Sequence, residues 1–201
     1  LDDALKSYQE ALGIRRELVR LHPQGDSSDL AGTLNNLAAL QFDKGEFDDA
    51  AKSYREALEI YRNLAQSNPQ DYLTDIAGAL NAMGDLQYKK DEFEDARKLY
   101  GESLEIRRGL ARSNPQVYLP DVAVTLNNLG NVQSDKGEYE DALKSYRESL
   151  GISRELARSN PQGYLSAVAA TLKNLGALQF GNDDYEDALK LYNEALAIYR
   201  K

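Results

Sequence analysis

The sequence lacks cysteine and tryptophan, and it has one methionine and one histidine among 201 residues. The absence of cysteine excludes disulfides, thiolate metal sites and cysteine nucleophiles. The single histidine excludes any site that needs two imidazoles. The motifs of phosphate-binding loops, serine hydrolases and zinc proteases are also missing from the sequence. We therefore expect no enzymatic activity, no catalytic residues, no cofactor and no metal.

Positive charge is scarce as well. Lys and Arg number 24 against 33 for Asp and Glu, which gives a net charge of −9. Binding to a phosphate backbone depends on clustered Lys and Arg, so this balance argues against a nucleic-acid partner. No run approaches the roughly 18 apolar residues of a membrane-spanning helix, and no signal peptide opens the chain. We expect a cytoplasmic chain without a membrane partner and, because it opens on Leu1 in mid-pattern, a piece of a longer protein.

What the sequence does contain is a repeat with a period of 46 residues. An acidic block that ends in alanine recurs in register at 1–4, 47–50, 93–96, 139–142 and 185–188. Prolines recur at the same spacing, as Pro23, Pro69, Pro115 and Pro161. We expect a single repeat array over 1–201, divided into a partial unit 1–31, complete units 32–77, 78–123 and 124–169, and a truncated last unit 170–201.

Hydrophobic residues within one period follow helical spacing. Leu126, Leu129 and Val132 recur every three residues, as on one face of a helix. The segment after Ala142 has apolar residues at intervals of three and four. Each unit is therefore predicted to hold two helices, a shorter helix A followed by a longer helix B, and we find no pattern that indicates a β-strand.

Glycine and proline set the predicted boundaries of these helices. Gly45 and Gly137 stand between helices A and B, because glycine accepts the positive φ just past a helix end. Proline cannot continue helix B. In the first complete unit we predict helix A over about 28–44 and helix B over about 47–67. Pro120 is then expected in the first turn of a helix A.

Small residues recur in pairs twelve positions apart, one in helix A and one in helix B. The pairs are Ala38 with Ala50, Gly84 with Ala96, Gly130 with Ala142, and Gly176 with Ala188. With Leu129 before Gly130 and Tyr146 after Ala142, the pattern resembles the tetratricopeptide repeat. Its length is similar to that of the long repeats of kinesin light chain, whose Leu-Asn-Asn-Leu run resembles 34–37 and 126–129. The resemblance implies an all-α fold, a right-handed superhelical solenoid of antiparallel helical hairpins.

Other recurring positions have structural interpretations. Gln41, Gln87, Gln133 and Gln179 replace an aromatic residue of the family pattern, and we expect each to bond a neighbouring backbone or a partner Gln. The tyrosine column Tyr8, Tyr54, Tyr100, Tyr146 and Tyr192 is expected in the core. Residues 183–187 resemble the magnesium-diphosphate motif of prenyl-transferring enzymes, but sister repeats indicate a turn followed by the acidic first turn of a helix. His22 is interpreted as a polar residue at a helix end.

The resemblance also implies a concave groove, lined by helix A, that holds a peptide. The candidate residues are Asn35, Asn36, Phe42, Asn81, Asp85, Tyr88, Asn127, Asn128, Asn131, Lys173, Asn174 and Phe180. Asparagine offers donors and an acceptor to a peptide backbone, and the aromatic residues suit apolar anchors. The alternative is that the asparagines bond one another as a ladder between repeats. Because Lys173 alone is basic in these columns, a two-lysine clamp for a C-terminal carboxylate is disfavoured.

We therefore predict a non-catalytic scaffold for protein–protein interaction, with a peptide or protein segment as its partner. The alternative is a regulatory or self-association segment of a larger signalling protein. The first and last helices B carry apolar residues such as Leu5, Leu12, Leu189 and Leu196. Uncapped apolar end faces favour association, so end-to-end stacking of copies is also expected.

Overall fold

The fold, taken from a computed structural model, is described for residues 2–200, apart from the side chains of 23–25. These residues form nine α-helices and no strand. The helices are α1 (Asp2–Leu21), α2 (Pro23–Asp43), α3 (Phe47–Ala65), α4 (Pro69–Lys89), α5 (Phe93–Ser113), α6 (Pro115–Asp135), α7 (Tyr139–Ser159), α8 (Pro161–Gly181) and α9 (Tyr185–Tyr199). Even-numbered helices are the helices A and odd-numbered ones the helices B, so the all-α prediction is confirmed.

Each helix A ends in a short turn that reverses the chain into helix B. The backbone N–H of Glu46 donates to the carbonyl of Gln41 at 2.8 Å, and the same bond recurs in the other three turns. Gly45 and Gly137 adopt φ of 79° and 76° there, as predicted. Asp91 and Asp183 hold the same position with φ of 59° and 63°, a conformation that costs a residue with a Cβ more than it costs glycine.

The junction from helix B to the next helix A is shorter than predicted. The proline that ends one helix B is also the first residue of the following helix A, where its missing N–H is not needed. Helix α2 therefore begins at Pro23 and not near 28, and its 21 residues exceed the 19 of α3, so the prediction that helix A is the shorter one was wrong. The predicted position of Pro120 was wrong for the same reason, since α6 begins at Pro115 and Pro120 lies inside the helix.

The helices pack in chain order in two compact units, Leu1–Glu92 and Phe93–Lys201. In the first unit each helix contacts the next, and α2 also contacts α4. In the second unit α5 to α9 pack in the same way, and α6 also contacts α8. Each unit is thus a short solenoid of helical hairpins in which consecutive helices A lie side by side. One array over 1–201 stays a prediction.

The core of each hairpin closes around the small residues. Ala38, Ala50 and Ala142 are fully buried, as the pairing predicts. A Cβ added to Gly130 would lie 2.6 Å from the ring of Tyr146. The tyrosine of helix B therefore lies directly against helix A, and this close approach explains the glycine. The core role of the tyrosines is confirmed for Tyr54, Tyr100 and Tyr146, which are all buried, whereas 37% of Tyr192 is exposed.

The glutamine column bonds other partners than predicted. Ser53 donates to Oε1 of Gln41 at 2.8 Å, and Ser145 donates to Gln133 at 2.7 Å. Where leucine replaces this serine, the amide instead donates to the acidic residue at the start of helix B. These bonds are Gln87 to Glu92 at 2.6 Å and Gln179 to Asp184 at 3.3 Å. The column therefore ties helix A to the following helix B.

Exposed ion pairs join neighbouring helices B at a constant spacing of 40 residues. Arg16 pairs with Glu56 at 2.8 Å, Arg108 with Glu148 at 2.5 Å, and Arg154 with Glu194 at 2.6 Å. A second series spaced by 42 residues joins Lys44 to Asp2, Lys90 to Asp48 and Lys136 to Glu94. Solvent screens such surface pairs and they contribute little to stability, so their constant spacing reports the regular register of the repeats.

Candidate functional site

In the second unit, asparagines of consecutive helices A bond to one another. Nδ2 of Asn174, on α8, donates to Oδ1 of Asn127 at 3.2 Å and to Oδ1 of Asn131 at 3.1 Å, both on α6. The hydroxyl of Tyr146 also donates to Oδ1 of Asn131, at 2.7 Å. Three candidate residues thus meet in one half-buried network, which is the ladder arrangement that the sequence left open.

The network leaves hydrogen-bonding capacity unused. Asn174 spends its amide hydrogens on the two oxygens, and its own Oδ1 has no bond to any described residue. The Nδ2 groups of Asn127 and Asn131 likewise donate to nothing in the described part of the chain. Among the described residues, Oδ1 of Asn35 is the one fully buried polar side-chain atom without a partner. The unpaired atoms of the network are therefore at least partly accessible to solvent. The ladder and a ligand contact are therefore compatible.

In the first unit the same columns have different neighbours. Asn81, which is buried, donates from Nδ2 to Asp85 at 3.3 Å. Oδ1 of Asn35 is buried without a partner. Ala39 and Ala82 stand where the second unit has Asn131 and Asn174, so the amide that would serve Asn35 is missing.

The remaining candidates are mostly aromatic or exposed. Phe42 lies 5.7 Å from Phe47, and Phe180 lies 5.2 Å from Tyr185 in an edge-on arrangement. Phe180 is 58% exposed. Tyr88 and Asn128 are half-buried, and Asn36 and Lys173 are exposed.

A cavity of about 290 Å³ lies beside the asparagine network in the second unit. Helix α6 contributes Val124 and Asn127, helix α7 contributes Ser149 and Ser153 as the floor, and helix α8 contributes Ala167. Ser149 and Ser153 are buried. Sequence reasoning did not find this cavity, although one signal was available. Serine at 153 is much smaller than the residues one and two periods before it.

A family model for the tetratricopeptide repeat matches residues 29–109, 75–155 and 121–201. The chain belongs to the tetratricopeptide repeat family. Comparison with curated proteins gave no match. Among solved structures, the tetratricopeptide repeat chain is similar to BtubC (BKLC) from P. vanneervenii, with a TM-score of 0.75 and 24% identity over 99% of this chain and 73% of that one. It is also similar to MamA, with a TM-score of 0.61 and 19% identity over 96% of this chain and 89% of that one. These likenesses show the fold.

The acidic segment 183–187 of this tetratricopeptide repeat chain has partners within its own helix. Asp184 caps α9 by accepting from the backbone N–H of Asp187 at 3.3 Å. Asp183 accepts from the hydroxyl of Tyr185 at 2.6 Å, and Lys190 pairs with Glu186 at 3.0 Å. This agrees with a turn and a first helical turn. Across residues 2–200, no cluster of three side chains is suited to hold a metal ion, and no helix has the length and apolar content to cross a bilayer.

Two tyrosines of the first tetratricopeptide repeat unit have perturbed acidity. Burial raises the pKa of Tyr54 to about 12, with the carboxylates of Asp85 and Asp43 adding to the effect. Burial also raises the pKa of Tyr61 to about 12, helped by Asp75. Both phenols are therefore neutral at physiological pH and act as packed rings. Burial raises the pKa of Asp75 as well.

Proposed function

We propose that the chain is a non-catalytic scaffold that binds a peptide or protein segment along the surface of its helices A. Tetratricopeptide repeats are interaction modules, and this membership supports the general class. We also propose the cytoplasm as its compartment.

The asparagine network of the second unit supports a peptide site on helices A. Within the second unit, Asn174 holds Asn127 and Asn131 in fixed orientations while their amide nitrogens and its own oxygen stay unpaired among the described residues. A peptide backbone offers a donor and an acceptor at every residue, so these atoms match it independently of the peptide's sequence. The exposed Phe180, further toward the C-terminal end of α8, adds an apolar contact.

The test is selection of peptides from a random displayed library on the whole chain, followed by affinity measurement with purified variants. Phe180→Ala and Lys173→Glu change exposed residues of α8, so we expect them to fold normally and to weaken the selected peptides at least several-fold. Lys144→Ala changes an exposed residue of helix B α7 and is the matched control. Peptides that bind all four proteins equally would contradict a site on helix A.

A second candidate function is self-association, which the exposed apolar side chains of α9 favour. Leu189 is 61% exposed and Leu196 is 43% exposed. Contact between this face and the first helix of another copy would be head-to-tail and would give fibres rather than closed dimers. Sedimentation at rising concentration tests it. Growth of large species that Leu189→Lys abolishes would support it, and a monomer at every concentration would oppose it.

A further inference from the structure

The cavity in the second unit lies where other repeats place a large side chain. The position of Ser153 in helix B is occupied at intervals of 46 residues by Arg15, Tyr61, Arg107 and Tyr199. Tyr61 is buried, and its ring centre lies 6.3 Å from that of Tyr72 on the next helix A. Arg107 is also buried and donates to the carbonyl of Asp121 at 3.0 Å. At Tyr61 and Arg107, therefore, this column fills the space between helix B and the following helix A.

At the cavity, the residues on both sides of the contact between helix B and the following helix A are small. The residue opposite the column is Asp29, Asp75 or Asp121 in the other repeats, and Arg15 pairs with Asp29 at 2.6 Å. Around the cavity, Ser153 replaces the large residue and Ala167 replaces the acid. Since the partner and the side chain that it would hold are absent together, the space of about 290 Å³ remains open.

The lining of the cavity is mostly apolar, with Asn127, Asn128, Ser149, Ser153 and Thr171 as its polar residues. Pro120, Val124, Leu156 and Tyr164 contribute most of the large side chains, and no charged residue lines it. The hydroxyl of Ser149 already donates to the carbonyl of Ala123 at 2.7 Å, and that of Thr171 to Ala167 at 3.0 Å. Burying a charge here would be costly because nothing pairs with it. The cavity therefore suits an uncharged and mostly apolar group.

The first unit indicates the shape of that occupant. Tyr164 corresponds to Tyr72, beside which the ring of Tyr61 lies in the first unit. The hydroxyl of Tyr61 lies 3.7 Å from where a Cβ on Gly32 would stand. Val124 replaces that glycine beside the cavity, so it narrows the space for a hydroxyl. A ring without a hydroxyl fits best, and an apolar cavity of about 150 Å³ is already large enough for benzene.

We propose that this cavity is a pocket for the benzyl side chain of a phenylalanine in the bound peptide. The inference rests on the proposed function, and it names the side chain that the helix A surface selects. Asn127 lines the pocket too, and its Nδ2 group, which donates to none of the described residues, is available to the peptide backbone beside that phenylalanine.

The experiment uses toluene as the probe and the methyl NMR signals of the whole chain as the readout. We expect toluene to shift the signals of Val124 and Leu156 in the wild-type chain. Ser153→Phe supplies the ring from the chain itself, so it should weaken toluene binding at least tenfold and raise Tm. Ser166→Phe adds the same ring at an exposed position of α8 and is the matched control, with binding unchanged.

Three results would overturn the proposal. These are the absence of toluene shifts at Val124 and Leu156, equal toluene binding by wild type and Ser153→Phe, and preferential binding of methylguanidinium, the analogue of the Arg107 side chain. If any of these results occurs while library-selected peptides still depend on Phe180, the proposed phenylalanine pocket is wrong and the scaffold function stands. If no peptide is selected, the scaffold function fails and the peptide phenylalanine with it, even where toluene binds.

Discussion

The two units place the same asparagine in opposite circumstances. Asn127 accepts a hydrogen bond from Asn174 in the second unit, whereas Oδ1 of Asn35, at the same position of the repeat, is buried without a partner in the first. The cause is the neighbouring helix A, where Ala82 replaces the asparagine that donates. A residue shared by two repeats therefore has a shared role only if its neighbours are shared as well.

We expect the hairpin core to contribute to stability in the same way in both units. Ala50 and Ala142 are both fully buried, so Ala50→Leu and Ala142→Leu should each cost about 1–3 kcal/mol or more by overpacking. Urea unfolding measures the cost, with exposed Ala39→Leu as a control that stays within about 0.5 kcal/mol of wild type. Normal stability of both core variants would show that the small-residue pairs are not close contacts.

The asparagine network should respond to an exchange between the units. Asn174→Ala removes two hydrogen bonds and should cost about 1 kcal/mol, since each bond contributes about 0.5–1.5 kcal/mol and alanine recovers some helix propensity. Ala82→Asn should instead stabilise the first unit by up to about 1 kcal/mol, because it supplies the donor that Asn35 lacks. In an Asn35→Ala background the same change should destabilise. An identical effect in both backgrounds would mean that residues 35 and 82 do not interact.

The turns offer a smaller contrast. Asp91 has a φ of 59°, and the preceding turn has a glycine, Gly45, at the same position. Asp91→Gly should stabilise the chain by up to about 1 kcal/mol through relief of the left-handed conformation, less the entropy that glycine adds to the unfolded chain. Gly137→Ala should have the opposite sign. Thermal unfolding of the two variants tests this, and equal signs would contradict it.

The smallest expected effect comes from the titration of Tyr61, which changes the stability of the fold only at alkaline pH. Tyr61 has a pKa of about 12 in the folded chain, against about 10 for an unfolded tyrosine. The folded state holds this proton more tightly, so its contribution to stability is complete below pH 10 and is lost as the pH rises toward 12. Tyr61→Phe should therefore lose less stability between pH 9 and pH 11 than the wild type, as measured by urea unfolding. A parallel loss in both proteins would show that Tyr61 does not titrate in this way.

The helices were easier to predict from the sequence than the partners of individual polar side chains. The period of 46 residues and the hydrophobic spacing predicted every hairpin, because five copies report the same local pattern. The start of helix A was missed because Pro23 was interpreted only as the end of a helix, although proline also suits the first position of the next. Partners of the glutamines depended on whether a serine or a leucine faced them across the hairpin, which requires the packed structure.

The cavity illustrates why the site was harder to predict than the fold. Ser153 is unremarkable by itself, and comparison with Tyr61 and Arg107 is informative only once the column is known to face the next helix A. The candidate asparagines were found from their position on helix A. Whether each would bond a neighbour depended on residues about one period away, such as Asn174 for Asn127 and Asn131.

The constant spacing of the ion pairs has a consequence for changes at the level of the gene. Removal of residues 115–160 in frame would join Asn114 to Pro161, the same dipeptide as Asn114–Pro115 and Asn160–Pro161. Arg108 would then be 40 positions before Glu194, the separation at which it now meets Glu148. Insertion of one period would preserve the same register. We therefore expect the length of such a chain to vary between alleles in whole steps of 46 codons, through unequal recombination, while shorter insertions within a helix are selected against.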